Sequence, residues 1–462
     1  MAKDCRGLEM TAADQTSVDC FDATLTGFLG FTRDVGDRLK ATFAADPDMP
    51  MAHVLRGYFM LLFANPVLNA KAAQSLDAAQ EGAEVREASA RERAHVAALE
   101  AWCAGDMRRA TDLWEDILLD APRDMLALKI GHYTHFYLGD SAELRDSVAR
   151  VLPAWDADTP DHGFLLAMRA FGLEETGAYA AAEDAGRAAV EINPADIWGV
   201  HAVAHVMEMQ GRLREGVDWI AGLEADWDTA NNFRFHVWWH RALFHFALGD
   251  QATALALYDD RIRADRTDDV LDFSNAASLL WRLEADGVAV GDRWEELADI
   301  AVRRGDDQQL AFADVHYVMA LAGAGRLDGA DGLAAAIAGV TDEGRATEAP
   351  ILRRVAAPLA HGLIAFRRGD AARAVALMLP IRHEIRAIGG SHAQRDVFAR
   401  TLVDAALAAD QPALARALVA ERLAANPNSP WSWRRMARAQ ETLGDATAAA
   451  QAQARVEALL AA

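Results

Sequence analysis

Apolar positions along this chain follow a helical rhythm, and glycines interrupt it at near-regular intervals. The segment Ala167–Asp196, AMRAFGLEETGAYAAAEDAGRAAVEINPAD, shows the unit. An aromatic and small residues precede Gly177, alanines follow it, and Pro194 ends the second run. A proline there cannot continue a helix, and it biases its predecessor away from helical backbone. The unit therefore reads as two amphipathic helices joined by a tight turn. The same punctuation recurs at Gly105, Gly139, Gly211, Gly249, Gly287, Gly325, Gly369 and Gly444. Successive turn glycines stand 34, 38, 34, 38, 38, 38, 44 and 75 residues apart, and Ala409-Asp410 divides the last interval into 40 and 35. DAPRD around Pro122 and ANPNS around Pro427 repeat the proline stop. No run of alternating Val, Ile and Thr is long enough to propose a strand.

These periods bracket the 34 residues of a tetratricopeptide repeat. The predicted fold is all-α: a right-handed superhelical solenoid of tetratricopeptide-like helix-turn-helix repeats. One such hairpin cannot bury both its apolar faces, so neighbours stack. Residues 1–86 fit the period poorly and read as a helical N-terminal cap. Residues 87–340 read as repeats forming a central groove, and 341–462 as C-terminal repeats beyond an irregular connector, TDEGRATEAP at 341–350. A second break, IGGSH at Ile388–His392, places Gly389 and Gly390 ahead of a new helix.

Composition narrows the function. The 462 residues exceed one ordinary core, as a repeat array would. Acidic residues outnumber basic ones, 69 to 46, for a net charge of -23. That excludes a broad electrostatic nucleic-acid surface and docking on an anionic membrane. Three cysteines without a Cys-x-x-Cys pair point to a reducing, cytoplasmic compartment and remove the common structural zinc sites. The N-terminal MAKDCRGLEMTAADQ has no apolar signal core. No P-loop, Rossmann fingerprint, Gly-x-Ser-x-Gly elbow or EF-hand loop occurs, so no cofactor is expected.

Several segments resemble the tetratricopeptide repeat protein 38 family. They are Asp46–Leu62, His201–Arg212 (HAVAHVMEMQGR), Phe235–Asp250 (FHVWWHRALFHFALGD), Leu279–Trp294 and Gly389–Phe398. The resemblance covers most of the chain and implies a cytoplasmic helical-repeat protein. It implies no particular activity. Arg241 departs from the aliphatic residue that the family pattern leads one to expect.

The glycine period also sorts the chemistry-bearing residues. In such repeats the first helix lines the concave side, and residues three, six and ten before the turn glycine point into it. Counting back from Gly211 reaches Glu208, His205 and His201, which share one helix face. From Gly177 the same offsets give Glu174, Phe171 and Ala167, and from Gly249 they give Phe246, Leu243 and Trp239, with His236 nearby and Asp272 opening the next first helix. Three readings stand for this patch. Histidines at i and i+4 can share a metal ion, but no His-Glu-x-x-His occurs and no resident metal is expected. Histidine beside carboxylate can perform acid–base chemistry or grip a small polar molecule. The third reading is structural, with histidines hydrogen-bonded between layers. We take His201, His205, Glu208 and His236 as candidate catalytic groups. Glu174, Phe171, Trp239, Asp272 and His316 are candidate substrate contacts, together with His392, Arg395 and Asp396 at the Gly-Gly break. There helix N–H groups can meet an anion or be capped by Ser391. His240 and His245 fall on the packing side of their helix, and His132 and His135 also read as packing residues. The expected partner is a small polar molecule in the groove, or alternatively a peptide or protein held by an adaptor. The apolar helix Ala446–Leu460 suggests a homodimer surface.

Overall fold

Each glycine of the period does what its spacing requires. In the computed structural model, which describes residues 2–461, all nine turn glycines have positive φ, between 67° and 87°. At Ala409-Asp410 the residue with positive φ is Asp410, at 55°. L-residues with a Cβ avoid this left-handed region, and it is the conformation that closes a helix C-terminus. The closing bonds recur as well. At Gly177 its N–H donates to the Glu174 carbonyl (2.8 Å) and the Ala178 N–H to Leu173 (2.9 Å). Asp250 to His245 and Gln411 to Ala406 repeat the second bond at 2.9 Å. Orphan carbonyls are thus satisfied in the turn, and the chain reverses into the next helix.

The architecture is all-α, as the rhythm of apolar residues predicts. Antiparallel pairs such as His162–Glu174 with Tyr179–Ile192, and Ala357–Arg367 with Ala371–Met378, follow one another. The N-terminal stretch read as a cap is helical, with helices at Gln15–Leu29, Val35–Ala45, Pro50–Leu62 and Pro66–Val85. One small correction applies. Ala2–Lys3 and Glu9–Met10 pair as two-residue antiparallel strands, too short to leave an alternation in the sequence. Among the described residues no helix is long and apolar enough to cross a membrane. The three cysteines are free.

The chain divides into two compact units. The first runs to Val203 and adds Leu223–Arg234 and Thr341–Pro350. Within it, the irregular connector meets the first turn glycine. Thr347 N–H donates to the Gly105 carbonyl (3.2 Å), and a Cβ on Gly105 would stand 2.1 Å from the Gly344 carbonyl oxygen. The second unit holds Ala204–Gly222, Phe235–Val340 and the chain from Ile351 onward. In it Gly216 admits the Phe244 ring, which a Cβ would approach to 2.3 Å. Arg241, the departure from the family pattern, lies with Arg261 over the Trp238 ring, at 5.2 and 4.6 Å.

Candidate functional site

The second unit contains a cavity of about 520 Å³. Two helix segments frame much of it. Ser391 starts the helix His392–Ala408 with a capping box, in which its hydroxyl accepts from Gln394 N–H (3.2 Å) and the Gln394 side chain accepts from Ser391 N–H (2.9 Å). The capping reading of the Gly-Gly break therefore accounts for the N–H group of Gln394. From that start, His392, Arg395, Asp396, Ala399 and Arg400 recur at three- and four-residue steps and line the cavity as one stripe. Opposite, the helix Ile197–Gln210 ends at Gly211 and brings Glu208 to the wall. Its last carbonyls are capped from a distant loop, by Asn426 Nδ2 to Glu208 O (3.2 Å) and Asn428 Nδ2 to Gln210 O (3.0 Å). Gly211 permits this approach, since a Cβ there would lie 2.5 Å from Asn428 Cβ.

The wall is cationic in a chain that is acidic overall. Arg282, Arg382, Arg386, Arg395, Arg400 and Arg422 line it, against Glu208, Asp396 and Glu421. Asp396 is gripped by two guanidinium groups, Arg400 Nε at 2.5 Å and Arg422 Nη2 at 2.6 Å. Burial would raise the Asp396 carboxyl, but Arg422, Arg400 and Arg282 together hold it well below the usual carboxylate range. Arg282 is buried, donating to the carbonyls of Ala393 (2.8 Å) and Ser278 (3.1 Å). Burial, with repulsion from Arg400 and Arg422, pushes its pKa down to about 9 despite Asp396 and Glu208. Six guanidinium groups against three carboxylates leave this wall with an excess of positive charge. Trp431 backs the group, with Arg400, Arg422 and Arg435 at 4.9, 5.1 and 4.6 Å from its ring.

Behind Glu208 lies a histidine cluster. Glu208 Oε2 is 2.9 Å from His240 Nδ1, His240 Nε2 is 3.2 Å from His236 Nε2, and His236 Nδ1 is 3.1 Å from Asn275 Oδ1. The His205 ring stands 4.4 Å from that of His240. Burial depresses all three imidazoles, with His240 brought down to about 3. Burial lifts Glu208 to about 7, against the pull of Arg282.

The candidate residues separate on this map. Glu208, His392, Arg395 and Asp396 line the cavity, while His205, His236, Trp239, Asp272 and His316 are buried in the same unit and are not among its lining residues. Trp239 stacks on His236 at 5.3 Å. Asp272 accepts from the Thr267 hydroxyl (2.7 Å). His316 Nδ1 donates to the Phe312 carbonyl (2.7 Å), the bond of a core histidine. Phe171, Glu174 and His201 belong to the first unit and are buried there, His201 between the rings of Phe171, Trp198 and Phe233 at 5.0–5.3 Å. His240, assigned to packing by counting back from Gly249, is fully buried and bonded to Glu208 and His236. Four residues from His236, it lies only about 40° round the helix, on the same face. Arg282, Arg400 and Arg422 were missed. Their one sequence signal was an arginine set in an apolar run, as in LLWRL at Leu279–Leu283.

No family model matches the chain. Among solved structures it is similar to the human IFIT1 dimer with m7Gppp-AAAA, at 15% identity and a TM-score of 0.38, over 98% of this chain and 97% of that one. It is also similar to yeast Tom70, at 11% identity and a TM-score of 0.35, over 96% of both chains. For the APC/C hetero-tetramer Cut9-Hcn1 the identity is 10% and the TM-score 0.36, over 96% of this chain and 94% of that one.

Proposed function

We propose that the second unit binds a small anionic molecule, bearing a phosphate or carboxylate group, in the cavity walled by Arg282, Arg400 and Arg422. The observation that carries this reading is the surplus of guanidinium groups around Asp396 in a chain of net charge -23. Planar guanidinium groups suit the bidentate recognition of such anions. A volume of about 520 Å³ lies within the range of small-ligand sites. An adaptor for extended peptides would instead be served by an open groove. Acid–base turnover, expected from the sequence, is proposed only through Glu208, the one candidate catalytic group among the cavity-lining residues. Membership of the tetratricopeptide repeat protein 38 family is proposed on the quoted segments, and a cytoplasmic location is supported by the free cysteines.

The test is calorimetric titration of the full chain with inorganic phosphate, small dicarboxylates and an acidic peptide at constant ionic strength. Saturable binding of a small anion, lost in Arg400→Met, is expected. Binding of the peptide alone would favour the adaptor, and binding unchanged in Arg400→Met would sink the assignment of the cavity.

A further inference from the structure

The hydrogen-bond partners of His236 and His240 carry an inference independent of the anion reading. Each ring places Nδ1 against an oxygen, Glu208 Oε2 at 2.9 Å and Asn275 Oδ1 at 3.1 Å. An ionised carboxylate and an amide carbonyl only accept, so with Glu208 ionised both Nδ1 atoms carry the proton. Both Nε2 atoms then present lone pairs, and they face each other at 3.2 Å. Two lone pairs at that separation repel unless a positive centre lies against both.

A metal ion meets the same geometry without that cost. Nitrogens bound to tetrahedral zinc at about 2.0–2.1 Å are separated by roughly 3.3–3.4 Å, close to the spacing seen. His205 supplies a third nitrogen, and ligand atoms of His205, His236 and His240 all lie within 4.8 Å of one another. All three side chains are buried, at 3% exposure or less. Glu208 and Asn275 take the place of the outer partners that fix the tautomer of ligating histidines.

We propose that His205, His236 and His240 hold a divalent transition-metal ion of the zinc class, oriented by Glu208 and Asn275. Imidazole ligands without thiolate suit zinc, copper, nickel or cobalt rather than calcium or magnesium. This revises the expectation of no metal, which rested on the missing His-Glu-x-x-His motif. Here two ligands come from one helix, Phe233–Leu248, and the third from another, Ile197–Gln210, so no single-helix motif is needed. The rival arrangement is metal-free. A proton on Glu208 would donate to His240, His240 Nε2–H to His236, and His236 Nδ1–H to Asn275, making a neutral relay.

The test uses the full chain, purified without a histidine tag and stripped with chelator, then titrated with Co2+ and back-titrated with Zn2+. One equivalent of Co2+ with the strong visible absorption of a tetrahedral site, displaced by Zn2+, is expected. His240→Ala and His205→Ala should each lower the affinity at least tenfold, while His245→Ala binds as wild type. Far-UV circular dichroism checks that the variants fold. Wild-type protein that takes up neither ion stoichiometrically overturns the proposal and leaves the relay, and this arm needs no variant. Equal binding by wild type and His240→Ala overturns it also.

Discussion

Replacing Asp396 with asparagine removes the one carboxylate that the arginine cluster grips, while keeping shape and volume. Its ion pairs with Arg400 and Arg422, at 2.5 and 2.6 Å, have side chains about a fifth exposed. At charge separations near 4 Å and an effective dielectric near 20, each pair is attracted by about 4 kcal/mol before desolvation and entropy are set against it. Breaking a fully buried pair costs about 3–5 kcal/mol, so this half-buried cluster should lose about 2–3 kcal/mol. In a unit of this size that lowers Tm by about 4–12 °C. The loss should reverse in part when an anion takes the vacated place. If phosphate binds the variant with a Kd near 1 mM, about 50 mM phosphate returns roughly 2 kcal/mol. Because Asp396 is held below the usual range, its contribution is complete above about pH 4 and disappears as pH falls through its folded-state pKa. The acid limb of stability should therefore be shallower in the variant. The assay is thermal and urea unfolding of both proteins, in phosphate and in chloride at matched ionic strength, from pH 3 to 8. An exposed pair serves as the control, with Asp259→Asn beside Arg293 costing less than about 1 kcal/mol. If Asp396→Asn matches wild type in chloride, or if phosphate stabilises both equally, the argument from uncompensated guanidinium charge is wrong.

Lys129 is fully buried in the first unit, its ammonium over the rings of Phe31, Tyr133 and Trp198 at 4.5–4.8 Å. Burial, opposed by Asp196, pushes its pKa down from 10.5 to about 7. The unfolded chain then holds the proton that the folded chain has released, so wild-type stability should rise from about pH 7 to pH 10, by an amount on the order of 4 kcal/mol. Lys129→Met should flatten that slope in urea melts, and a slope retained in the variant would assign it elsewhere. Two glycine substitutions should differ in sign. Gly216→Ala drives a Cβ into Phe244 and should cost about 1–3 kcal/mol. Gly332→Ala, with open space around its helix position, should gain about 0.5–1 kcal/mol. Equal Tm shifts would contradict the packing described.

The turns were legible because a helix C-terminus in the left-handed region has a local chemical requirement that glycine meets. Even the missing glycine was bridged, since Asp410 tolerates that backbone. His205, Glu208 and His236 came from the same ruler and share one neighbourhood in the structure. His240 was read as a packing residue and is buried, but its bonds to Glu208 and His236 were not given by fixed offsets, since a helix face spans neighbouring offsets four apart. The arginine cluster left almost no local trace. Its members meet across long separations, as when Arg282 donates to a carbonyl 111 residues later. Whether an arginine is solvated or turned into a cavity is decided by such tertiary pairings, which periodicity does not encode.

The connector at Thr341–Pro350 has a consequence for biosynthesis. It completes the first unit, although more than a hundred residues of the second precede it in the chain. A ribosome emitting this protein therefore delivers much of the second unit before the last piece of the first, and the remainder of the second unit after it. The N-terminal half must wait for some 350 residues to emerge before the Gly105 turn gains its Thr347 bond. Chain termination before residue 341 should leave that turn uncovered, and the two halves cannot be separated by a single cut.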